Sequence, residues 1–214
     1  MPEELAATAH QFEDLAQQHE ADELGMWVFL GTEVMFFGGL FLGYTVYRHV
    51  YFGAFEAGSH LLDLLLGAVN TSVLIASSFT MALSVYAAQK GRKKTLITCL
   101  ILTMILGSVF LGIKGVEYGQ KFHHHLVPGY DFNPEGNFPA HMSLYFSFYF
   151  IMTGMHALHM IVGEGLLLVV LILAAKNRFT AAHHATVEVV GIYWHFVDII
   201  WIFLFPLLYL IGGR

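Results

Sequence analysis

The stretch GIYWHFVDIIW, Gly191 to Trp201, runs on into IFLFPLLYLIGG (202–213), so a histidine and an aspartate sit inside an otherwise apolar run. About 20 predominantly apolar residues are enough to cross the hydrocarbon core of a bilayer. The only open-ended structure that satisfies its own backbone hydrogen bonds there is a helix. The stretch therefore reads as the middle of a spanning helix over roughly 186–212, with two ionisable side chains held at membrane depth. His195 and Asp198 are three residues apart and share a helix face. Together with Glu188 and Gly191 they fall within about 80° at 100° per residue, a polar stripe with a glycine where another helix can approach.

Four more runs of this kind lie upstream, at roughly 24–47, 61–87, 95–117 and 141–175. The chain as a whole, 214 residues long, is 57% hydrophobic and 12% charged, with a mean hydropathy of +0.63, whereas soluble domains carry about 25% charged residues. The expected fold class is an all-α integral membrane protein, a bundle of five transmembrane helices. Its expected division is an acidic N-terminal segment over 1–23 and a membrane domain over 24–214. Connections are short except 118–140, YGQKFHHHLVPGYDFNPEGNFPA, whose Pro, Gly and Asn residues predict an irregular aqueous loop. No internal repeat is visible.

The formal net charge of −6 comes largely from residues 1–23, which carry seven acidic residues and no Lys or Arg. Nucleic acid is thereby disfavoured as a partner. The same segment lacks the positive, then apolar pattern of a secretory signal, so the first span is expected to direct insertion. Leu5, Ala9, Phe12 and Ala16 recur at helical spacing, which fits a solvated helix or one facing a partner or the interface. Cys99 is the single cysteine, which excludes an internal disulfide, a four-cysteine iron–sulfur site and a two-cysteine copper centre on this chain. Lys90, Arg92, Lys93, Lys94, Lys176 and Arg178 fall in the loops on the N-terminal side, against Arg48, Lys121 and Arg214 opposite. That bias predicts a cytoplasmic N-terminus and a periplasmic C-terminus.

Ionisable groups at membrane depth cost at least a few kcal/mol each on insertion scales, so each is expected to face protein or water. They are Glu33 in the first span, Lys114 and Glu117 near the outer end of the third, His156, His159 and Glu164 in the fourth, and Glu188, His195 and Asp198 in the fifth. Counting at 1.5 Å per residue puts Glu33, Glu164 and His195 in one layer about 9–11 residues in, with His159 and Asp198 about one turn deeper. In the first span Gly31, Gly38 and Thr45 recur every seven residues opposite Glu33, a small-residue face that reads as a packing seam. Four readings of the polar layer stand side by side. His and Asp satisfy one another and rigidify the bundle; Glu33 serves a proton path; His156 or His159 faces His195 across a haem iron; or a metal is held with help from His123, His124 and His125. The histidine triplet by itself defines no coordination geometry and reads as solvated loop.

Four segments carry a resemblance. GMWVFLGTEVMFFGGLF (25–41), FLGIKGVEY (110–118), TGMHALHMIVG (153–163) and YWHFVDIIWIFLFPLLYLIGG (193–213) resemble subunit III of cytochrome c oxidase, the third subunit of haem-copper terminal oxidases, in order through 25–213. The resemblance implies a subunit without redox centres, packed beside subunits I and II, which hold the haems and copper. Composition agrees, because His156, His159 and His195 are too few intramembrane histidines for the catalytic subunit and Cys99 alone cannot form the copper site of the second. Glu33 matches the family carboxylate that reacts with a hydrophobic carbodiimide. His156 and His159 match its HxxH, and Trp194, His195 and Asp198 its WHFVD, which the resemblance makes structural. Glu164 has no counterpart in that pattern.

In the family this subunit supports proton uptake, protects the catalytic site during turnover and binds phospholipid in a cleft. Longer members carry two further helices at the N-terminal side that form one wall of that cleft, so here another subunit is needed to complete a lipid site. The implied setting is the inner membrane of a bacterium, in a complex that reduces oxygen and pumps protons, with lipids and further respiratory subunits as neighbours. Quinol oxidase subunit III and a nitric oxide reductase accessory protein fit the same pattern; a free-standing membrane haem protein is the alternative from a different class.

Overall fold

The computed structural model describes residues 15–129, 132, 139–179 and 184–211. Six helices are formed among them: α1 (Leu15–Val50), α2 (Phe52–His60), α3 (Leu64–Gln89), α4 (Lys93–His123), α5 (Met142–Ala175) and α6 (Ala185–Tyr209). Five are long and apolar enough to cross a membrane; α2 is not. The chain is a multi-pass helical membrane protein.

Three boundaries differ from the expected ones. α1 begins at Leu15, so the helix passes without a break through the expected division at residue 23. The acidic stretch before residue 15, with Leu5, Ala9 and Phe12, lies outside the described residues, as does the side chain of Ala16. The link before α3 is itself helical as α2, whose Phe55 and Ser59 are buried despite its short length. α4 runs to His123, well into the expected loop, because Lys114, Glu117 and Lys121 continue one buried face of that helix. Lys121 donates to the Leu61 carbonyl in the turn after α2, and that bond holds the last turns in helical form. Of the rest of the loop, 130, 131 and 133–138 lie outside the described residues.

Helix ends follow from local chemistry. Asp63 caps α3 by accepting from the Leu66 N–H at 3.0 Å. α3, α4 and α5 each close with paired bonds from the two residues after the cap, such as Arg92 N to Ala87 O and Gly91 N to Ala88 O. The residue in the left-handed region is Gly91 (φ 63°), His125 (φ 52°) and Asn177 (φ 57°) in turn. One member of the histidine triplet is thus a helix terminator.

α3, α4, α5 and α6 surround one core in ring order, with α4 and α6 on the diagonal, and α1 lies against α5 and α6 from outside. Half of the most apolar window of α6 is buried within the chain, against 11% for α1. α6 is therefore the central post and α1 the peripheral helix. Trp194 locks the diagonal. Its indole donates to Ser77 Oγ of α3 at 3.1 Å and lies against Gly107 of α4 and Gly163 of α5, where an added Cβ would stand 2.8 and 3.0 Å from the ring. The carbonyls that α6 leaves free at its C-terminal end would be costly in lipid. Tyr44 of α1 bonds Leu207 O at 2.7 Å, Tyr145 of α5 bonds Leu208 O at 2.9 Å and Ser59 of α2 bonds Ile211 O at 3.4 Å.

Candidate functional site

The buried polar side chains gather in two regions. The first lies toward the long-loop end. Lys114 and Glu117, one turn apart on α4, form an ion pair at 2.8 Å with 4% and 1% of their side chains exposed. The Lys114 ammonium also donates to Tyr149 Oη (3.2 Å) and Tyr209 Oη (3.0 Å), and both hydroxyls donate in turn to Glu117 Oε1, at 2.9 and 2.5 Å. All three ammonium donors are used. The Lys114 Nζ lies 5.0 Å from the Trp201 ring centroid and 5.1 Å from that of Tyr149, so the cation is also held over ring faces. Three helices converge on one charge pair. Tyr149 and Tyr209 are not among the ionisable groups that the sequence places at membrane depth, and Lys121 falls in the expected loop. Only Lys121 carried a signal, its spacing from Lys114 and Glu117 on one buried face once α4 is extended.

The second region occupies the middle and the basic end. Glu33 Oε2 of α1 meets His159 Nε2 of α5 at 3.0 Å, both half-buried. His159 Nδ1 is engaged by Met155 O at 2.8 Å, and Tyr193 of α6 donates to His159 O at 3.0 Å. This ties the peripheral helix to the core. His195 Nδ1 instead meets Ser78 Oγ of α3 at 2.7 Å. Gly191 lies where α3 comes close, with an added Cβ 2.8 Å from Val85 Cγ2.

Here the structure corrects the shared layer. Glu33, Glu164 and His195 do not meet: Glu33 pairs with His159, His195 with Ser78, and Glu164 turns toward Gly107, because rotation about each helix axis decides who meets whom. Glu164 sends one oxygen against Gly107 of α4, where it has no hydrogen-bond partner. His195 and Asp198 do not satisfy one another, nor does Asp198 bond α6 to a neighbour. Its carboxyl is 3% exposed and neither oxygen has a hydrogen-bond partner, although Ser78 stands beside it. His156 is buried between Phe110 and Trp201, at ring distances of 5.4 and 5.1 Å, with both ring nitrogens unpartnered. Glu188 is not in a buried layer: it lies in the first turn of α6, half-buried, and binds Gln89 (2.7 Å) and His184 (3.2 Å). The small-residue seam is likewise unused within the chain, since an added Cβ at Gly31 or Gly38 would meet nothing within 4 Å.

For a haem or metal, the three intramembrane histidines take different partners: aromatic rings for His156, Glu33 for His159 and Ser78 for His195. Among the described residues no three His, Cys, Asp or Glu are grouped to hold a metal ion. His123, His124 and His125 are exposed at the end of α4.

A five-span bundle around a saturated Lys–Glu pair, with further polar groups at membrane depth, defines a multi-pass helical membrane protein. Comparison with known proteins supplies the family. The family model described as cytochrome c oxidase subunit III matches residues 11–213, and the chain belongs to that family. Cytochrome c oxidase subunit 3 of Corynebacterium diphtheriae is 38% identical over 88% of this chain and 87% of its own. Cytochrome bo(3) ubiquinol oxidase subunit 3 of Pseudomonas aeruginosa is 32% identical over 88% and 84%. Cytochrome c oxidase subunit 3 of Loxodonta africana is 32% identical over 91% of this chain but 71% of its own length. The chain is thus similar to third subunits of oxidases that differ in electron donor.

Proposed function

We propose that this chain is the accessory third subunit of a bacterial cytochrome c oxidase, in the inner membrane with its N-terminus in the cytoplasm. The observation that carries the reading is the family match over 11–213, with the C. diphtheriae relative aligned along most of both chains. Its neighbours are the haem- and copper-bearing subunits I and II, and the chain itself catalyses no step. The bare glycine face of α1 supports an assembled state, since a helix with 11% of its apolar window buried has most of its surface left for lipid or other subunits. In this reading, lipids contact the chain and a lipid site against α1 is completed by a neighbouring subunit. Glu33 and His159 form a polar pair that couples this subunit to proton uptake, and the Lys114 network and Trp194 hold the bundle rigid beside the catalytic subunit.

Gentle solubilisation through a tag on this chain, followed by mass spectrometry, a visible spectrum and oxygen-uptake assays, tests the proposal. Copurifying haem-copper subunits and oxygen uptake driven by reduced cytochrome c are expected. Uptake driven by quinol alone would move the chain to the second reading, a quinol oxidase subunit III, which the P. aeruginosa relative favours. Recovery without any haem-bearing partner would overturn both.

A further inference from the structure

An open cavity of about 430 Å³ indents the bundle at the end where α6 begins, between α1, α3 and α6. Asp22 and Glu23 on its wall precede the apolar run of α1, and Glu188 lies in the first turn of α6, so its rim is at the water boundary. His195 forms part of the same wall, nearly three turns below the start of α6, or about 15 Å. A space of this size holds several waters. His195 also lines a second cavity, between α3 and α6, together with Ser78 and Asp198. Its Nδ1 meets Ser78 Oγ at 2.7 Å, whereas Nε2 has no partner in the chain and, unlike both Asp198 oxygens, is not closed off. Ser78 in turn stands beside the Asp198 carboxyl, which is 3% exposed and has no bond of good geometry. With both oxygens closed to water, the Ser78 hydroxyl is the group through which a proton can reach them. The other titratable groups in this part of the core, His156 of α5 and Lys114 of α4, lie against the Trp201 ring at 5.1 and 5.0 Å, and Glu33 of α1 is held by His159.

We propose that His195, Ser78 and Asp198 form a proton relay that loads the buried carboxyl from the acid-walled cavity and returns the proton to the same side. In uptake, water gives a proton to His195 Nε2 while the Nδ1 proton passes to Ser78 Oγ and the Ser78 proton passes to an Asp198 oxygen, the last hop following a turn of the carboxyl. His195 ends as the Nε2–H tautomer, accepting from Ser78 at Nδ1, and Asp198 ends as the acid, donating to Ser78. Release runs the same bonds backwards. Histidine suits the middle of such a path because one ring nitrogen gains a proton as the other loses one, and chains of Asp and His at membrane depth are a form that proton relays take. The carboxylates on the wall concentrate protons at the entrance. The relay is separate from Glu33 and His159, and it rests on the function proposed above only for the side it faces, the cytoplasm.

The test is hydrogen–deuterium exchange of carboxylic acid C=O bands, followed by infrared spectroscopy in membranes that contain the full chain. The band that Asp198→Asn removes belongs to Asp198. It is expected to shift on transfer to heavy water, and to do so about a hundredfold more slowly in Ser78→Ala, the low end of what a positioned proton-transfer group contributes. Ser78→Thr keeps the hydroxyl and should exchange like wild type. Ala82→Phe narrows the acid-walled cavity without touching the relay and should also slow exchange, which keeps the test decisive should Ser78→Ala fail to fold. Nitrogen NMR of His195 should show the Nε2–H tautomer wherever the acid band is present and the Nδ1–H tautomer wherever it is absent. Exchange in Ser78→Ala or Ala82→Phe as fast as in wild type would overturn the proposal, as would an Asp198 acid band absent at every pH or a tautomer that does not follow the band. These readouts need only the chain in a membrane, so they stand or fall independently of which subunits copurify.

Discussion

The two ends of the bundle solve the same problem in opposite ways. Toward the long loop, Lys114, Glu117, Tyr149 and Tyr209 use every donor of the ammonium and both carboxylate oxygens. Toward the middle and the basic end, His156, Glu164 and Asp198 keep buried atoms without partners, and Glu33 and His159 are joined by a single contact. A saturated network fixes the angle at which three helices meet. Unsaturated groups leave capacity for something that arrives later, whether a subunit, a lipid or a proton. The contrast is one of degree, since Asn70 of α3, bonded to Phe110 O one turn from Lys114, also keeps its amide oxygen unpartnered.

The sharpest way to break this contrast is Lys114→Met. It leaves Glu117 buried without its cation and should cost about 3–5 kcal/mol, read as a lower thermal transition and loss of the chain from its complex. Replacing Lys114 and Glu117 together by apolar residues of similar volume should recover most of that loss. A wild-type transition in Lys114→Met alone would mean that the pair is not buried.

Next in size is Gly107→Val, which drives a side chain into Trp194 and the Glu164 carboxyl and should cost about 1–3 kcal/mol by overpacking. The paired control is Gly38→Ala on the bare face of α1, expected to melt like wild type in the isolated chain and to differ only in the assembled complex. Equal behaviour of the two glycine variants would erase the distinction between the packed and the open face.

His195→Leu removes the bond to Ser78, whose hydroxyl still has the Asp198 carboxyl beside it, and should cost about 0.5–1.5 kcal/mol. Asp198→Asn keeps the shape of a carboxyl that Ser78 stands beside without a bond of good geometry, so its effect should be the smaller of the two. Chemical denaturation in lipid discs separates them, and a reversed order would show that Asp198 carries the helix contact after all. The smallest structural effect is expected for Glu33→Gln, which keeps a hydrogen-bonding group opposite His159. Assembly should be normal, while oxidase durability or proton-uptake rate at raised pH should fall. Unchanged turnover in both assays would remove the proton role.

How much of this was readable in advance varies by element. The five spans follow from apolar length, and the Lys114–Glu117 contact from one-turn spacing on a single helix. α2 and the last turns of α4 were not legible, because Lys121 and its polar neighbours read as loop until a carbonyl from another segment takes the lysine. The partnerships of Glu33 with His159 and of His195 with Ser78 were equally hidden. Depth along an axis can be counted from sequence, but the relative rotation of two helices cannot.

The sequence alone determined that this is a five-span membrane protein of the cytochrome c oxidase subunit III family, because hydrophobic length and the order of its motifs are properties of the chain itself. Only the tertiary structure decided which buried groups are satisfied and which are not. That outcome depends on how α3, α4, α5 and α6 turn toward one another, and the packing of Trp194 against Gly107 and Gly163 sets it.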